Sequence, residues 1–456
     1  MKRPLLLISL LSAPAVLSAA AIDYIGRATV PGTSTDLSGL TDTITWPAGS
    51  MPHNQLGGFG SGIAYAGRGN LFVGVNDRGP GDGAASPHYY DRFQLFELTP
   101  DVATKSLQFQ LMSTPLMTNA NGQHFNGNAS DFNTAVPAAT MRFDPEAVRV
   151  GKDGTYYVSD EYGPYIYQFD PTGKRIGQIQ LPSKFAVPNP NADANTELGN
   201  VMGRQTNRGM EGLAITPDGR YVVGLMQNAL IQDEGLSGLN RFGINNRLVK
   251  IDTTTGETQE FFYQLDGISS GRGANEIVAV NDHQFLVLER DNRTFNNNPA
   301  SVIKKLYLID TNGATDVSGK ALPATGTLDP ADGVTNLTPV SKNLFLDMMQ
   351  FPEFAIDVPE KIEGLSFGPL LPDGRLALYV TTDNDFIGTN PSYIYGFAID
   401  LKETGLAYQA QQFATPEPAS FVLGGLALVA LAAKQTKRLK PRGQRSLPTL
   451  KVRDRF

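Results

Sequence analysis

Residues 144–170 read DPEAVRVGKDGTYYVSDEYGPYIYQFD, and this stretch predicts a compact unit of short β-strands. Residues 147–150 form an apolar run, and residues 155–158 and 165–169 are rich in the aromatic and β-branched side chains that strands prefer. Between the first two runs, Asp153-Gly154 tolerates the positive φ angles of a tight hairpin turn. We therefore expect an antiparallel meander over this stretch.

Carboxylates mark the ends of these predicted strands, and the same arrangement recurs along the chain. Similar units lie at residues 58–79, 209–227, 273–291 and 361–385. The positions that lead the five repeats, which are separated by 85, 65, 65 and 87 residues, are Ser61, Glu146, Glu211, Glu276 and Glu363.

A strand-rich unit that recurs in this way predicts an all-β protein with the architecture of a β-propeller. We expect six blades, with five and seven as alternatives, over residues 22–414. Residues 22–51 are interpreted as part of a closing blade that is shared with the C-terminal strands. Residues 341–349 are interpreted as a short helix.

The leading glutamates predict a metal site. The innermost strand of each blade lines the central channel, so a Glu at the start of that strand projects toward one mouth of the channel. Carboxylates that converge there repel one another unless a cation lies among them. The alternative is that each Glu is a solvated residue at the end of a strand.

Composition excludes several classes of function. Residues 22–433 carry 27 basic and 44 acidic side chains, and so acidic a body argues against a nucleic-acid partner. The chain has no cysteine, which excludes disulfides and thiol catalysis. Its four histidines form no HxH or HxxxH pair, so local spacing predicts no zinc site.

The two ends of the chain predict export. Residues 1–21 have the basic start, apolar run and small-residue end of a secretory signal; an uncleaved anchor is the alternative. Near the other end, Pro416-Glu417-Pro418 precedes the apolar residues 420–433 and a basic cluster. Residues 415–456 thus resemble a PEP-CTERM sorting signal, which implies transient anchoring in the inner membrane and processing by a sorting protease. A buried helix is the alternative interpretation of residues 420–433.

The repeats FDPEAVRV, YYVSDEYGPYIYQFD, NRGMEGLAI, GANEIVAV and LVLERD resemble the phytase-like family, also described as "esterase-like activity of phytase". The resemblance implies a secreted β-propeller with phosphoesterase activity. The first repeat departs from the pattern because Ser61 replaces Glu. The positions that match the family motifs are Asp77, Arg78, Glu146, Asp160, Glu161, Glu211, Glu276, Glu289, Arg290, Glu363 and Asp383.

Our first hypothesis is a Ca²⁺-dependent hydrolase of phosphate esters. In this hypothesis Arg78 and Arg290 bind phosphate oxygens, and Asp160 or Glu161 acts as the general base. The residues assigned to the metal are Glu146, Glu211, Glu276 and Glu363, with Asp77, Glu289 and Asp383 beside them. One alternative keeps the metal but takes a lactone or carboxylic ester as substrate. Another is a surface-displayed binding propeller with a structural calcium.

Overall fold

The computed structural model describes residues 21–81, 86–133, 140–163, 165–191, 199–267, 271–294 and 303–414. The predicted signal segment, apart from its last residue, and the predicted sorting tail with its apolar residues 420–433 lie outside these ranges. Among the helices that are described, none has the length and apolar character needed to cross a membrane.

The described residues form 24 β-strands and two α-helices of about one turn, α1 (Pro352–Ala355) and α2 (Leu401–Thr404). The strands are β1 (Ile22–Val30), β2 (Thr43–Trp46), β3 (Gly49–Pro52), β4 (Gly62–Tyr65), β5 (Leu71–Val75), β6 (Phe93–Asp101), β7 (Ser106–Ser113), β8 (Pro145–Val150), β9 (Tyr156–Asp160), β10 (Ile166–Phe169), β11 (Arg175–Ile179), β12 (Gly212–Ile215), β13 (Tyr221–Leu225), β14 (Leu236–Ser237), β15 (Asn240–Arg241), β16 (Asn245–Asp252), β17 (Thr258–Gln264), β18 (Gly273–Ala279), β19 (Gln284–Arg290), β20 (Lys304–Asp310), β21 (Ser341–Asp347), β22 (Ile362–Leu370), β23 (Leu376–Thr382) and β24 (Ser392–Ile399).

These strands build a five-bladed β-propeller. Each blade is a four-stranded antiparallel sheet, and the sheets are β4-β5-β6-β7, β8-β9-β10-β11, β12-β13-β16-β17, β18-β19-β20-β21 and β22-β23-β24-β1. The all-β propeller prediction is confirmed. The count lies within the expected range of five to seven and is one fewer than the preferred six. The extra residues in the two longest repeat spacings lie largely in the connections β7–β8 and β20–β21, and they add no further four-stranded sheet to the described chain.

The N-terminal strand closes the ring. Strand β1 pairs antiparallel with β24, from Ile22 opposite Ile399 to Val30 opposite Ser392. The expectation of a blade shared between the two ends of the chain is therefore correct for β1. It is wrong for the rest of residues 22–51, because β2 and β3, with Trp46, form a separate two-stranded hairpin.

Turn chemistry explains much of the strand pattern inside the blades. Gly154, Gly219 and Gly374 follow Asp in the predicted hairpins, and their φ angles are +83°, +76° and +87°, a region that glycine enters without steric cost. The predicted helix at residues 341–349 is wrong. Ser341–Asp347 is the outer strand β21, which pairs with β20, and only a 3₁₀ turn follows it.

The hydrophobic core lies between neighbouring blades. Between the first and second blades, for example, the rings of Phe93 and Phe169 meet edge to face with centroids 5.5 Å apart, and both side chains are fully buried. Burying one large apolar side chain contributes about 1.5–3 kcal/mol. Such contacts between blades hold the first strands β4, β8, β12, β18 and β22 next to one another around the central channel.

Arg149 fills the centre of this ring. Its guanidinium donates hydrogen bonds to the backbone carbonyls of Ile63 at 2.8 Å, Ile277 at 2.8 Å and Leu365 at 3.3 Å, which belong to three other blades. One buried side chain of β8 therefore ties together the first strands β4, β18 and β22.

Candidate functional site

Three of the leading glutamates meet at one mouth of the channel. Glu146, Glu211 and Glu363 lie at the beginnings of β8, β12 and β22. These three residues are only 7%, 5% and 6% exposed to solvent. They share a cavity of about 130 Å³, which we call the carboxylate cavity. Its other lining residues are Asp77, Arg78, Glu161, Asn207, Arg208, Gln227, Arg290, Asn292, Glu360 and Lys361.

A small residue follows each of these three glutamates, and the close approach of the first strands explains it. A Cβ added at Gly212 would lie 3.1 Å from the backbone nitrogen of Ile277. At Gly364 it would lie 2.1 Å from the hydroxyl oxygen of Thr381. Because a larger side chain cannot fit at these places without displacing a neighbour, glycine lets the strand beginnings converge on the channel.

Glu276 does not line this cavity, so the structure does not bring it together with the other three leading glutamates. In the fourth blade the residue that faces the site is Asn275, whose amide lies 3.2 Å from Nη2 of Arg290. The pairing of β18 with β19 is irregular between Ala274 and Glu276. Glu276 therefore occupies the next position along the strand, which is glycine or alanine in the other blades, and a shift of one residue in a strand changes the face.

Glu276 lies deeper in the channel. Its Oε1 is 2.9 Å from Nη2 of Arg149 and accepts hydrogen bonds from the backbone N–H groups of Leu213 and Ile277. The residue is completely buried, and that burial raises the pKa of its carboxyl group to about 8. Glu276 is thus the counter-ion of the central arginine.

Glu289 is also remote from the carboxylate cavity. Its Oε2 accepts hydrogen bonds from the Tyr263 hydroxyl at 2.7 Å and from Nζ of Lys342 at 2.9 Å, and its Oε1 accepts one from the N–H of Asp266. The next residue, Arg290, lines the cavity, and successive strand residues point to opposite faces. The structure therefore does not bring Glu289 together with the other residues predicted for the metal site.

One group of three oxygen ligands comes from the second blade, and two of its members, Glu146 and Glu161, line the cavity. Asp144, Glu146 and Glu161 are all buried, and each offers a carboxylate oxygen within 4.8 Å of the others. Asp144 was not singled out from the sequence, although it precedes the Pro-Glu pair that opens β8. Asp144 and Glu161 flank the β8–β9 hairpin, and the N–H of Glu161 donates to the carbonyl of Asp144 at 3.1 Å.

Crowding and burial perturb these carboxyl groups. Burial, together with the charges of Glu211 and Asp144, raises the pKa of Glu146 well above its ordinary value. Burial and the neighbouring Glu161 do the same to the pKa of Glu211. Burial raises the pKa of Asp144 to about 6. Within the described residues, no side chain or backbone group donates a hydrogen bond to the Glu146 carboxylate.

Cationic side chains line the same cavity. Arg78 donates to both carboxylate oxygens of Asp144, from its backbone N–H and from Nη1, at 2.9 Å each. Nη2 of Arg290 lies 2.5 Å from Oε1 of Glu363. Arg208, which sequence reasoning missed, places a buried Nε in the cavity wall without an acceptor among the described residues. Burial lowers the pKa of Arg208 to about 10.

A second acidic group adjoins the cavity at the fifth blade. Asp77, Asp383 and Asp385 offer oxygens within 4.8 Å of one another. Nζ of Lys361 lies 3.0 Å from Asp383, 4.0 Å from Asp77 and in contact with Asp385. One ammonium group thus contacts all three carboxylates. In the other acidic group, Nη1 of Arg78 lies 2.9 Å from Asp144 and 3.7 Å from Glu161, whereas Glu146 has no cationic partner among the described residues.

Asp160 lies on the far side of the turn that carries Glu161. Its Oδ1 accepts a hydrogen bond from the N–H of Asp144 at 2.9 Å, and its Oδ2 accepts one from the N–H of Gly163. Burial raises the pKa of Asp160 to about 7. Asp160 lines a neighbouring cavity rather than the carboxylate cavity, so the geometry separates the two residues considered as general base.

The donors around Glu146 suit a hard divalent cation. They are all carboxylate oxygens, as Ca²⁺ prefers, and their mutual repulsion is relieved by positive charge. The carboxylate of Glu146 accepts no hydrogen bond within the described residues, and a bound cation would compensate its charge. Asp144, Glu146 and Glu161 would hold the ion, with Glu211 and Glu363 beside them.

Comparison with known proteins gives one family match. The model of the phytase-like family, described as "Esterase-like activity of phytase", matches residues 54–386. An uncharacterized secreted protein of Arthroderma benhamiae (strain ATCC MYA-4681 / CBS 112371) is 24% identical over 471 residues, which cover 82% of this chain and 89% of that protein.

Solved structures with a similar strand arrangement are distant. A luciferin-regenerating enzyme is 10% identical with a TM-score of 0.32, and the match covers 82% of this chain and 99% of that one. A glycosyl hydrolase from Bacteroides ovatus is 9% identical with a TM-score of 0.37, covering 84% and 96%. Likeness at this level says nothing about the activity of this chain.

Proposed function

The chain belongs to the phytase-like family, and on this premise we propose that the carboxylate cavity is the active site of an exported, metal-dependent hydrolase of phosphate esters. The observation that carries the proposal is the composition of the cavity wall. Two kinds of group line the same space. One is a set of carboxylates that need a cation, and the other is a set of four cationic side chains, Arg78, Arg208, Arg290 and Lys361. A site of this kind accepts a metal ion and an anionic substrate together.

The proposed metal ligands are Asp144, Glu146 and Glu161, and the proposed ion is Ca²⁺. When bound, such an ion supplies a positive charge that polarises phosphoryl oxygens. The three carboxylates come from the two ends of the β8–β9 hairpin, so the rigid blade fixes their separation. This arrangement keeps Glu146 in the role expected from the sequence, adds Asp144, and moves Glu161 from general base to ligand.

Arg78, Arg208 and Arg290 are the proposed phosphate-binding groups. Guanidinium groups meet phosphate oxygens in a fork of two hydrogen bonds. Arg78 and Arg290 are held in place by Asp144 and Glu363. Arg208 has a buried Nε without an acceptor among the described residues, so a substrate oxygen would satisfy a donor that is otherwise unpaired.

Glu211 is the proposed general base. It lines the cavity beside Glu161, and burial together with that neighbour raises its pKa well above the ordinary value, so its carboxylate takes up a proton more readily than an exposed Glu. In the proposed step, the water oxygen forms a bond to phosphorus and gives its proton to Glu211. The bond from phosphorus to the alcohol oxygen breaks, and the alcohol leaves with a proton from solvent. Asp160, which faces another cavity, would act only by positioning Asp144 and Gly163.

A lactone or carboxylic ester is the alternative substrate class. The same cation would polarise its carbonyl oxygen, but the arginines of the cavity would then lack an anionic partner. The other alternative is a non-catalytic propeller at the cell surface, in which the cation only stabilises the fold. The four cationic side chains in the cavity wall favour a phosphate ester over both.

Export and anchoring belong to the same proposal. The relative from Arthroderma benhamiae is described as secreted, and residues 1–21 have the pattern of a secretory signal. We propose that residues 415–456 are a PEP-CTERM-type tail that holds the exported protein at the inner membrane through residues 420–433 until a sorting protease removes it. The partners of the protein would then be a small ester substrate, the membrane and this protease.

The test is phosphate release by the full-length protein, purified in detergent and stripped of metal with a chelator. Phenyl phosphate, glycerol 2-phosphate and phytate would be offered with and without added Ca²⁺. Ca²⁺-dependent release of phosphate from any of them supports the proposal. If none is hydrolysed while Ca²⁺ still raises the melting temperature, the phosphoesterase proposal fails, and turnover of a lactone or carboxylic ester then separates the two alternatives.

A further inference from the structure

A second cavity lies beside the carboxylate cavity and differs from it in character. Its volume is about 220 Å³, and most of its wall is aromatic or aliphatic. The apolar lining includes Phe132, Tyr165, Val187 and Pro188, and Tyr162 completes it. We call this space the aromatic cavity.

One turn separates the two cavities. Residues 161–163 follow strand β9, and within this turn Glu161 lines the carboxylate cavity whereas Tyr162 lines the aromatic cavity. The guanidinium carbon of Arg78, which belongs to the carboxylate cavity, lies 6.0 Å from the centroid of the Tyr162 ring. The two cavities are therefore neighbours on either side of this turn.

The hydroxyl group of Tyr162 is unsatisfied. The residue is 4% exposed, and its hydroxyl oxygen is buried without a hydrogen-bond partner among the described residues. Leaving a buried polar group unpaired costs about 1–3 kcal/mol, so such groups mark places where a ligand supplies the partner. Burial raises the pKa of the phenol well above its ordinary value, so Tyr162 is a neutral donor at physiological pH.

The rest of the wall is ordered rather than adaptable. The guanidinium carbon of Arg142 lies 4.3 Å from the ring centroids of both Phe132 and Tyr162, and its Nη1 donates to the carbonyl of Asn191 at 3.0 Å. Arg142 thereby fixes the positions of the two rings. The cavity is consequently lined by flat rings, with Arg142, Asp160 and Thr140 as the polar part of its wall.

From these observations we infer that the aromatic cavity binds the alcohol portion of the ester substrate, and that this portion is a flat apolar ring, such as an aryl group. The inference rests on the proposed function, since it places the scissile group in the carboxylate cavity. A dry cavity of about 150 Å³ is large enough for benzene, so about 220 Å³ accommodates a ring with a substituent. Phytate carries a phosphate on every ring carbon, so its alcohol portion has no apolar surface that would match the aromatic cavity.

The experiment compares two substrates in the full-length protein. Phenyl phosphate has an aromatic ring, and glycerol 2-phosphate has the same reacting group on a small polar alcohol. Ala186 lines the cavity, so Ala186→Leu fills part of it. We expect kcat/KM for phenyl phosphate to fall about tenfold through KM, with less than a twofold change for glycerol 2-phosphate. Ala103→Leu, at an exposed turn between β6 and β7, is the matched control and should change neither.

Two further variants keep the inference falsifiable if Ala186→Leu does not fold. Val187→Ser makes one wall polar and is expected to weaken only the aryl substrate. Tyr162→Phe removes the unpaired hydroxyl and keeps the ring. Equal losses for both substrates in these variants would overturn the inference, because they would indicate general damage to the active site.

A binding measurement separates this inference from the proposed function. Phenol, which carries no phosphate, would be titrated into the wild-type protein and into Ala186→Leu by calorimetry or ligand-observed NMR. Saturable binding that the variant loses supports the aromatic subsite even if no phosphate ester is hydrolysed. Hydrolysis without a preference for the aryl substrate, and without phenol binding, would overturn the subsite while leaving the phosphoesterase proposal intact.

Discussion

The carboxylate of Glu276 and the guanidinium of Arg149 lie 2.9 Å apart on the axis of the propeller, where both side chains are almost completely inaccessible to solvent. The same guanidinium binds backbone carbonyls of other first strands, including those of Ile63 and Leu365. This pair therefore connects the blades of the ring and closes the channel below the carboxylate cavity.

Removing the arginine should strongly destabilise the fold. Arg149→Met removes the partner of Glu276 and the guanidinium donors to the carbonyls of Ile63 and Leu365, and removing one partner of a buried pair typically costs about 3–5 kcal/mol. We expect a corresponding drop in the free energy of unfolding measured with urea. Lys105→Met is the control, since it removes an exposed pair with Glu353 and should cost about 1 kcal/mol or less. Equal stability of the two variants would refute a connecting role for Arg149.

The stabilisation by Ca²⁺ should increase with pH. Burial raises the pKa of Asp144 from 3.8 to about 6, so the folded protein holds this proton between those values while the unfolded chain has lost it. The free energy of unfolding of the metal-free protein therefore falls as pH rises past about 4. Below about pH 6, a cation must compete with the proton bound to Asp144.

The measurement is the rise in melting temperature on adding Ca²⁺, compared at pH 5.5 and pH 8. We expect a clearly larger rise at pH 8, because Asp144 and Glu146, whose pKa values are both raised, must lose their protons to bind the ion. In Asp144→Asn this pH dependence should become weaker. A rise that is equal at both pH values in the wild-type protein would contradict the proposed ligands.

Arg208 should contribute to substrate binding although it was not evident from the sequence. Losing a hydrogen bond to a charged group costs about 1.5–3 kcal/mol, which corresponds to about a 10- to 100-fold rise in KM for a phosphate ester in Arg208→Met. Arg220→Met, which removes an exposed arginine paired with Asp252, should leave KM unchanged. An unchanged KM in Arg208→Met would remove this residue from the proposed phosphate site.

The sequence was sufficient to predict the propeller, because each blade begins with the same short pattern. Asp-Gly turns and alternating apolar residues are local signals, and they correctly located strands β9 and β10 to within one or two residues. Glu146, Glu211 and Glu363 could be predicted as neighbours for the same reason, since they occupy one position in the repeat.

The sequence could not locate the other residues, for a different physical reason. Glu276 is one residue away from the position equivalent to Glu146, and a shift of one residue in a strand moves a side chain from one environment to another. Glu289 lies next to Arg290 on β19, so its face depends on strand register, which is a tertiary property. Asp144 and Arg208 reach the cavity through the paths of their loops, and no repeat spacing encodes those paths.

The most direct test of the central claim is a calorimetric titration of the metal-stripped, full-length protein with Ca²⁺. We predict that Glu146→Gln weakens the affinity for Ca²⁺ by about one to two orders of magnitude, since it replaces a proposed carboxylate ligand. Glu289→Gln is the matched control, because Glu289 is buried among Tyr263, Asp266 and Lys342, and it should bind Ca²⁺ like the wild-type protein. Equally tight binding by Glu146→Gln and the wild-type protein would contradict the assignment of a cation to the carboxylate cavity.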